Sequence, residues 1–175
     1  WNAKNMGPES DVVGKLERAV KQQNMKFMVA LHHSFNWWFF PHWEENYDTS
    51  DPQNEGLYGP LHDTDWEGDL PKNKKQSWLK MEKPNQKFLK RWMNKNKEVV
   101  RNYKPDLLWF DFGLEFIQER YKKKFLSYYY NKEKEWDKEV VVTYKWHHLV
   151  PGSGVVDLEL GKFDQLTYNE WLTDT

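Results

Sequence analysis

Lys104-Pro105-Asp106-Leu107-Leu108-Trp109-Phe110-Asp111-Phe112-Gly113-Leu114-Glu115-Phe116 is the stretch whose reading decides the fold. Pro105 cannot continue a helix and is expected to push Lys104 towards extended backbone. Leu107, Leu108, Trp109 and Phe110 form an unbroken apolar run, as in a short parallel strand covered on both faces. Asp111 follows at once, Gly113 supplies a turn, and a new helical pattern begins near Glu115. A carboxylate at the C-terminal end of a strand lies where α/β folds place their sites. The alternative reading makes Asp111 only a helix cap or the partner of a surface lysine.

Working outward from this strand, helical and extended patterns alternate. Upstream, Ser10 is the expected N-cap of a helix over 11–23, with Val12, Val13, Leu16, Ala19 and Val20 as its apolar stripe. Residues 26–33 read as a buried strand ending in His32 and His33. No period holds over 34–83, where Trp37, Trp38, Trp43, Tyr47, Tyr58, Trp66 and Trp78 lie among Asp, Glu, Asn, Gly and Pro. A loop of this length inside a domain is usually functional, and after a strand it should rise over the C-terminal face of the sheet. A helix follows over 85–103, with Phe88, Leu89, Trp92, Val99, Val100 and Tyr103 on its core face.

Downstream of Asp111 a helix is expected over 115–131, burying Phe116, Ile117, Tyr121, Phe125 and Tyr128, with Lys122, Lys123 and Lys124 solvated. The β-branched run over 140–146 reads as the next strand, and a Gly152-Ser153-Gly154 turn leads to another over 155–160. The order is therefore helix, strand, long loop, helix, strand, helix, strand, strand. No glycine fingerprint for a dinucleotide follows any strand. The pattern predicts an α/β fold and fits a partial (β/α)8 TIM-like barrel better than a dinucleotide-binding sheet. The abrupt opening at Trp1 and close at Thr175 carry the expectation of a longer protein.

Charge is nearly balanced, with 26 Lys and Arg against 27 Asp and Glu, so nothing points to nucleic acid or an anionic membrane surface. No apolar run approaches the ~20 residues of a membrane span. With no cysteine, disulfides and thiolate metal sites are excluded. The aromatic content is high, at 11 Trp, 9 Tyr and 10 Phe, and much of it sits beside polar residues. Such aromatics suit flat apolar ligand faces, sugars among them.

The strand ends carry the chemistry: His32 and His33, then Asp111, then Lys145, then Asp157 and Glu159. Adjacent residues of a regular strand face opposite ways, so His32 and His33 cannot both meet one ligand, and the same holds for His147 and His148. No histidine spacing suits a metal, and no cofactor is expected. A nucleophile elbow is absent. Carboxylates in an aromatic setting remain, the equipment of glycoside hydrolysis.

Several motifs then add a resemblance. Trp1-Asn2-Ala3-Lys4-Asn5-Met6-Gly7-Pro8 with Asp11-Val12-Val13-Gly14 resembles a loop and helix of glycoside hydrolase family 29, the α-L-fucosidases. Residues 26–34 resemble that family's next strand, and residues 104–111 its Lys-Pro-Asp-…-Trp-Phe-Asp strand, whose last Asp is the nucleophile. Residues 140–146 resemble the strand that usually ends Asn-Asp-Arg-Trp. Val156-Asp157-Leu158-Glu159-x-Gly161 and Trp171-x-Thr173-Asp174-Thr175 resemble motifs of one branch. Two departures stand out: Phe112 replaces a usual Gly, and Thr143-Tyr144-Lys145 replaces Asn-Asp-Arg, so the charge lacks the bidentate fork of Arg.

The resemblance implies that residues 1–175 are the central portion of a catalytic (β/α)8 domain, with earlier strands carrying His-His-Asp-Gly before Trp1. It implies a retaining exo-α-L-fucosidase acting on a fucosylated glycan, without cofactor, in a secreted, periplasmic or lysosomal setting. Asp111 would be the nucleophile. The acid/base residue moves between branches, and Glu159 is the first choice and Glu170 the second. His32, His33, Trp37, Trp38, Lys145 and Trp171 would bind substrate. Two other classes stay open: a catalytically inactive glycan-binding relative, and a structural α/β domain with an aromatic surface for a protein partner. The oligomeric state is not legible.

Overall fold

Among the described residues, five short strands form a single all-parallel sheet in the order β1-β2-β3-β4-β5, each lying beside its neighbour in sequence. The structure is a computed structural model that describes residues 2–40, 42, 45–61 and 83–173, without the side chain of Trp38. The strands are β1 (Met28–Leu31), β2 (Leu107–Phe110), β3 (Val141–Lys145), β4 (Val155–Asp157) and β5 (Trp171–Leu172). A doubly wound sheet would reverse its order at a switch point, whereas a (β/α)8 barrel runs its strands round in sequence. The described sheet follows the second pattern.

The α-helices among the described residues are α1 (Val12–Gln22), α2 (Asn36–Phe39), α3 (Glu55–Tyr58), α4 (Gln86–Tyr103) and α5 (Glu119–Trp136). Asp11, not Ser10, caps α1: its carboxylate accepts from the Gly14 N–H at 3.0 Å and from the Tyr103 hydroxyl of α4 at 2.8 Å. Those two bonds hold the Asp11 pKa below the ordinary carboxylate value. Asn85 caps α4 by accepting from Phe88 N–H.

Lys104 corrects the reading of the α4 terminus. It takes the left-handed conformation, φ 44° and ψ 56°, and its N–H closes onto the Val100 carbonyl. Pro105 excludes a continued right-handed helix but leaves this compact reversal open. Asp106 then ties three strands together at their N-terminal ends. Its carboxylate accepts from Phe27 N–H at 2.8 Å ahead of β1 and from Lys138 Nζ at 2.9 Å ahead of β3. Burial would raise the Asp106 pKa, but these two partners outweigh it and hold it low.

Helices α4 and α5 cover one face of the sheet. Leu31, Leu108, Phe110, Val142 and Tyr144 point into a core with Phe88, Leu89, Trp92, Val100, Phe125 and Tyr129. The rings of Trp92, Phe110 and Phe125 meet at centroid distances of 5.6 to 6.2 Å. The other face is set by strand alternation, and Met28, Leu107, Trp109, Thr143, Asp157 and Leu172 share a recess on it. Cover on both faces was expected for β1 and β2. On this face β1 lacks that cover, since Met28 and Ala30 are exposed, whereas Thr143, Lys145 and Asp157 further along the sheet are buried. This is the face that a closed barrel turns inward.

Element boundaries also moved. The strand expected over 26–33 is Met28–Leu31, because His33–Phe35 coil into a 3-10 turn. The helix expected over 115–131 starts only at Glu119, after a 3-10 turn at Leu114–Phe116, and runs to Trp136. The strand expected over 155–160 ends at Asp157, and β5 was not foreseen. The described part of the 34–83 loop contains short helical turns, and 62–82 lies outside the described residues. As the sequence order required, no helix separates β3 from β4. Residues 146–154 make that connection and lie against α5, where Tyr130 donates to the Ser153 carbonyl at 2.7 Å.

Lys122 is the clearest correction on α5. It was expected in solvent with Lys123 and Lys124, but it is buried, donating to the His148 carbonyl at 2.8 Å and pairing with Glu119 at 2.5 Å. Its position at one turn from Phe125 places it on the edge of the core stripe, where a long side chain reaches a loop carbonyl.

Candidate active site

Asp111 stands one residue beyond β2, on the same side of the backbone as Trp109 by alternation, and is only 6% exposed. Its Oδ2 lies 3.1 Å from Nδ1 of His32, the residue that follows β1. A carboxylate has no proton to give, so the imidazole donates in this contact when Nδ1 carries hydrogen. His32 keeps an exposed side chain and meets the Trp109 ring edge-on at 6.2 Å.

Gly113 allows the two strand-end loops to come this close. It has φ 86°, and a Cβ there would fall 2.5 Å from the Phe35 backbone nitrogen. Glycine is thus required both by conformation and by space. Buried Ser34 accepts from Trp92 Nε1 at 2.8 Å, fixing the loop after β1 to α4.

A second charged group sits beside the first. Lys145, the last residue of β3, is 1% exposed, and Asp157, the last residue of β4, is 0% exposed. Nζ of Lys145 lies 3.2 Å from Asp157 Oδ2, 3.7 Å from Glu159 Oε2 and 5.0 Å from the centre of the Trp109 ring. Trp109 Nε1 donates to that same Asp157 oxygen at 2.7 Å. An ion pair this deep is costly to desolvate, and it holds only where extra hydrogen bonds and good geometry offset that cost. The indole N–H supplies one such bond.

The remaining sequence-derived candidates separate. His33 points away from Asp111: its ring stacks on Phe88 at 5.3 Å, and Asn36 Nδ2 lies 3.0 Å from its Nδ1. Burial first, then the charges of Lys95 and Arg91, lower its pKa to about 3. Of the two histidines it is His32 that meets Asp111, and the 3-10 turn starting at His33 is what parts them. Trp37 was expected near a sugar, but it is 0% exposed and packs on Phe88 at 5.3 Å, so it has no free face to offer. The cause is the short helix α2, which turns Trp37 into the core. The side chain of Trp38 lies outside the described residues.

Glu159 lies two residues past β4 with a half-exposed carboxylate beside Lys145. Glu170 is exposed and lines a groove of about 240 Å3 with Trp146, Phe163 and Tyr168. That groove also contains Tyr144 and Val156, whose side chains point to the helix-side face. Trp171 belongs to β5 and meets Phe163 edge-on at 5.6 Å.

Two groups were undervalued in the sequence. Asp157 was visible only as one of several strand-end carboxylates, although its i+2 partner Glu159 shares its side of the chain. Buried His148 has Nε2 at 3.2 Å from Glu115 Oε2. The distance suits an ion pair, yet burial dominates both ends, lowering the His148 pKa to about 4 and raising that of Glu115. Desolvation therefore drives both partners towards their neutral forms, and we read the contact as a hydrogen bond. Among the described residues no cluster of three or more His, Asp and Glu is arranged to hold a metal ion.

A family profile described as Alpha-L-fucosidase matches residues 1–175. The rat tissue alpha-L-fucosidase is 31% identical over 148 residues, covering 83% of this chain and 24% of the relative. The human tissue alpha-L-fucosidase is also 31% identical over 148 residues, with the same coverage. Among solved structures, the chain is similar to Thermotoga maritima alpha-fucosidase, at 21% identity and a TM-score of 0.49, covering 90% of this chain and 32% of that one. The chain spans about a quarter of the length of the curated relatives it matches. By the match over its whole length and the identity to these relatives, the chain belongs to the alpha-L-fucosidase family.

Proposed function

We propose that this chain is the central part of the catalytic (β/α)8 domain of a retaining exo-α-L-fucosidase that releases fucose from glycans. The observation that carries the reading is Asp111: a carboxylate rigidly mounted at a strand end and held by a histidine from the neighbouring strand. In the proposed double displacement, Asp111 attacks the anomeric carbon and forms a fucosyl-enzyme while a glutamic acid protonates the departing oxygen. The resulting glutamate then takes a proton from water, which attacks the anomeric carbon and frees Asp111.

Glu159 is the preferred acid/base. Its carboxylate lies within 3.7 Å of Lys145, on the cluster that includes Trp109. Glu170 opens instead onto a groove shared with residues of the helix-side face. A fucosylated glycan is the proposed substrate, and a secreted, periplasmic or lysosomal setting is the corresponding location. No helix among the described residues is long and apolar enough to cross a membrane.

The test is hydrolysis of a chromogenic α-L-fucoside by the whole protein that contains this chain. Asp111→Asn is expected to lower kcat by more than about 10^4-fold, since the amide cannot act as nucleophile. The change is nearly isosteric, so the melting temperature should move little. Turnover by the unmodified protein lost in Asp111→Asn supports the reading. Binding of fucosides without turnover would instead identify a non-catalytic relative.

A further inference from the structure

Three elements of the sheet converge on one carboxylate oxygen. Asp157 Oδ2, from β4, lies 2.7 Å from the indole nitrogen of Trp109 on β2 and 3.2 Å from the ammonium of Lys145 on β3. Lys145 in turn lies over the Trp109 ring at 5.0 Å. Trp109 meets His32 edge-on at 6.2 Å, and His32 reaches Asp111 at 3.1 Å. A continuous set of contacts therefore runs from Asp157 to the proposed nucleophile.

We propose that Asp157 is a positioning residue for the reaction. From β4 it fixes the Trp109 indole and the Lys145 ammonium against each other, and through Trp109 it fixes the imidazole beside Asp111. The inference rests on the functional reading above for its effect on rate, but not for its effect on Trp109.

The chemistry calls for a carboxylate at this position. Both neighbours are donors only, the indole with one N–H and the ammonium with three, so the shared atom must accept twice. An amide oxygen could accept both bonds but would leave the buried Lys145 charge without its closest anion. An apolar side chain would lose both bonds and release the indole to turn within the recess it shares with Met28, Leu107, Thr143 and Leu172. The second oxygen, Oδ1, is buried without a hydrogen-bond partner among the described residues. An unshared buried oxygen is a costly arrangement to keep for packing alone. Asp157 at 0% exposure does not contribute to a solvated surface.

The experiment uses the whole protein labelled with fluorotryptophan, with the Trp109 resonance identified by its loss in Trp109→Phe. In Asp157→Leu the Trp109 resonance should shift, and kcat/KM for a chromogenic α-L-fucoside should fall about a hundredfold, mainly in kcat, as for a misplaced reacting geometry. Asp157→Asn, which keeps an acceptor, should lie between that variant and the unmodified protein in both readouts. If Asp157→Leu does not fold, the Asn variant carries the test by the same two measurements. An unmoved Trp109 resonance together with kcat/KM within twofold of the unmodified protein would overturn the proposal. So would an activity loss that only tracks the unfolded fraction. If the unmodified protein does not hydrolyse the fucoside, the functional reading fails, while the fluorine shift still decides whether Asp157 positions Trp109.

Discussion

The two faces of this sheet are built from the same strands and obey opposite rules. On the helix-side face Leu108, Phe110, Val142 and Tyr144 meet α4 and α5, and the contacts are apolar. On the other face β2, β3 and β4 present Trp109, Lys145 and Asp157, joined by a hydrogen bond and an ion pair. One residue of register separates Phe110 from Asp111 and Tyr144 from Lys145. A slip of one position would bury the charges among the helices and expose the core, so the packing of one face fixes the aim of the other.

The contrast can be broken first at Lys145. Replacing it in Lys145→Met leaves Asp157 buried without its cation, and unpairing a buried ion pair costs about 3–5 kcal/mol. Equilibrium unfolding in denaturant should show that loss. A double variant Lys145→Met with Asp157→Leu should recover part of it, because no lone charge then remains.

On the apolar side, Trp37→Ala should destabilise by about 3–5 kcal/mol through the cavity it leaves. KM for a fucoside should stay unchanged in the molecules that remain folded. A raised KM with unchanged stability would return Trp37 to the substrate side.

A smaller effect concerns the buried histidines. His148 has a folded pKa of about 4 and His33 of about 3, both below the ordinary 6.5. Between pH 6.5 and 4 the unfolded chain binds protons that the folded chain refuses, so stability falls as pH falls through that window. The raised pKa of Glu115 acts in the opposite sense and offsets part of the slope. A net loss of about 1–3 kcal/mol is expected by denaturant titration at several pH values. His148→Phe should flatten the curve.

The order of elements was legible because each carries a strong local signal. The apolar run at 107–110 and the core stripe of α4 each point to one structure. His32 and His33 do face different ways, but the turn at His33–Phe35 separates them, since the regular strand assumed for alternation ends at Leu31. Trp37 could not be placed from sequence, since a tryptophan in an aperiodic stretch suits either a core or a ligand. Lys122 was misread because composition shows a charge run but not the carbonyl of His148 that a single lysine can reach. The Asp157 cluster depends on which strands lie side by side, and pairing is a property of the sheet, not of any one segment. The left-handed Lys104 was hidden for a similar reason: residues before proline avoid the right-handed helix, but that rule does not choose between the conformations left.

The central claim is that Asp111 is the nucleophile, and covalent trapping tests it most directly. The whole protein is incubated with a 2-deoxy-2-fluoro-fucosyl fluoride, which slows breakdown of the glycosyl-enzyme, then digested and analysed by mass spectrometry. The account predicts one fluorofucosyl adduct on the peptide containing Asp111, with fragment ions placing it on that residue. An adduct on Glu159, Glu170 or any other carboxylate would contradict it.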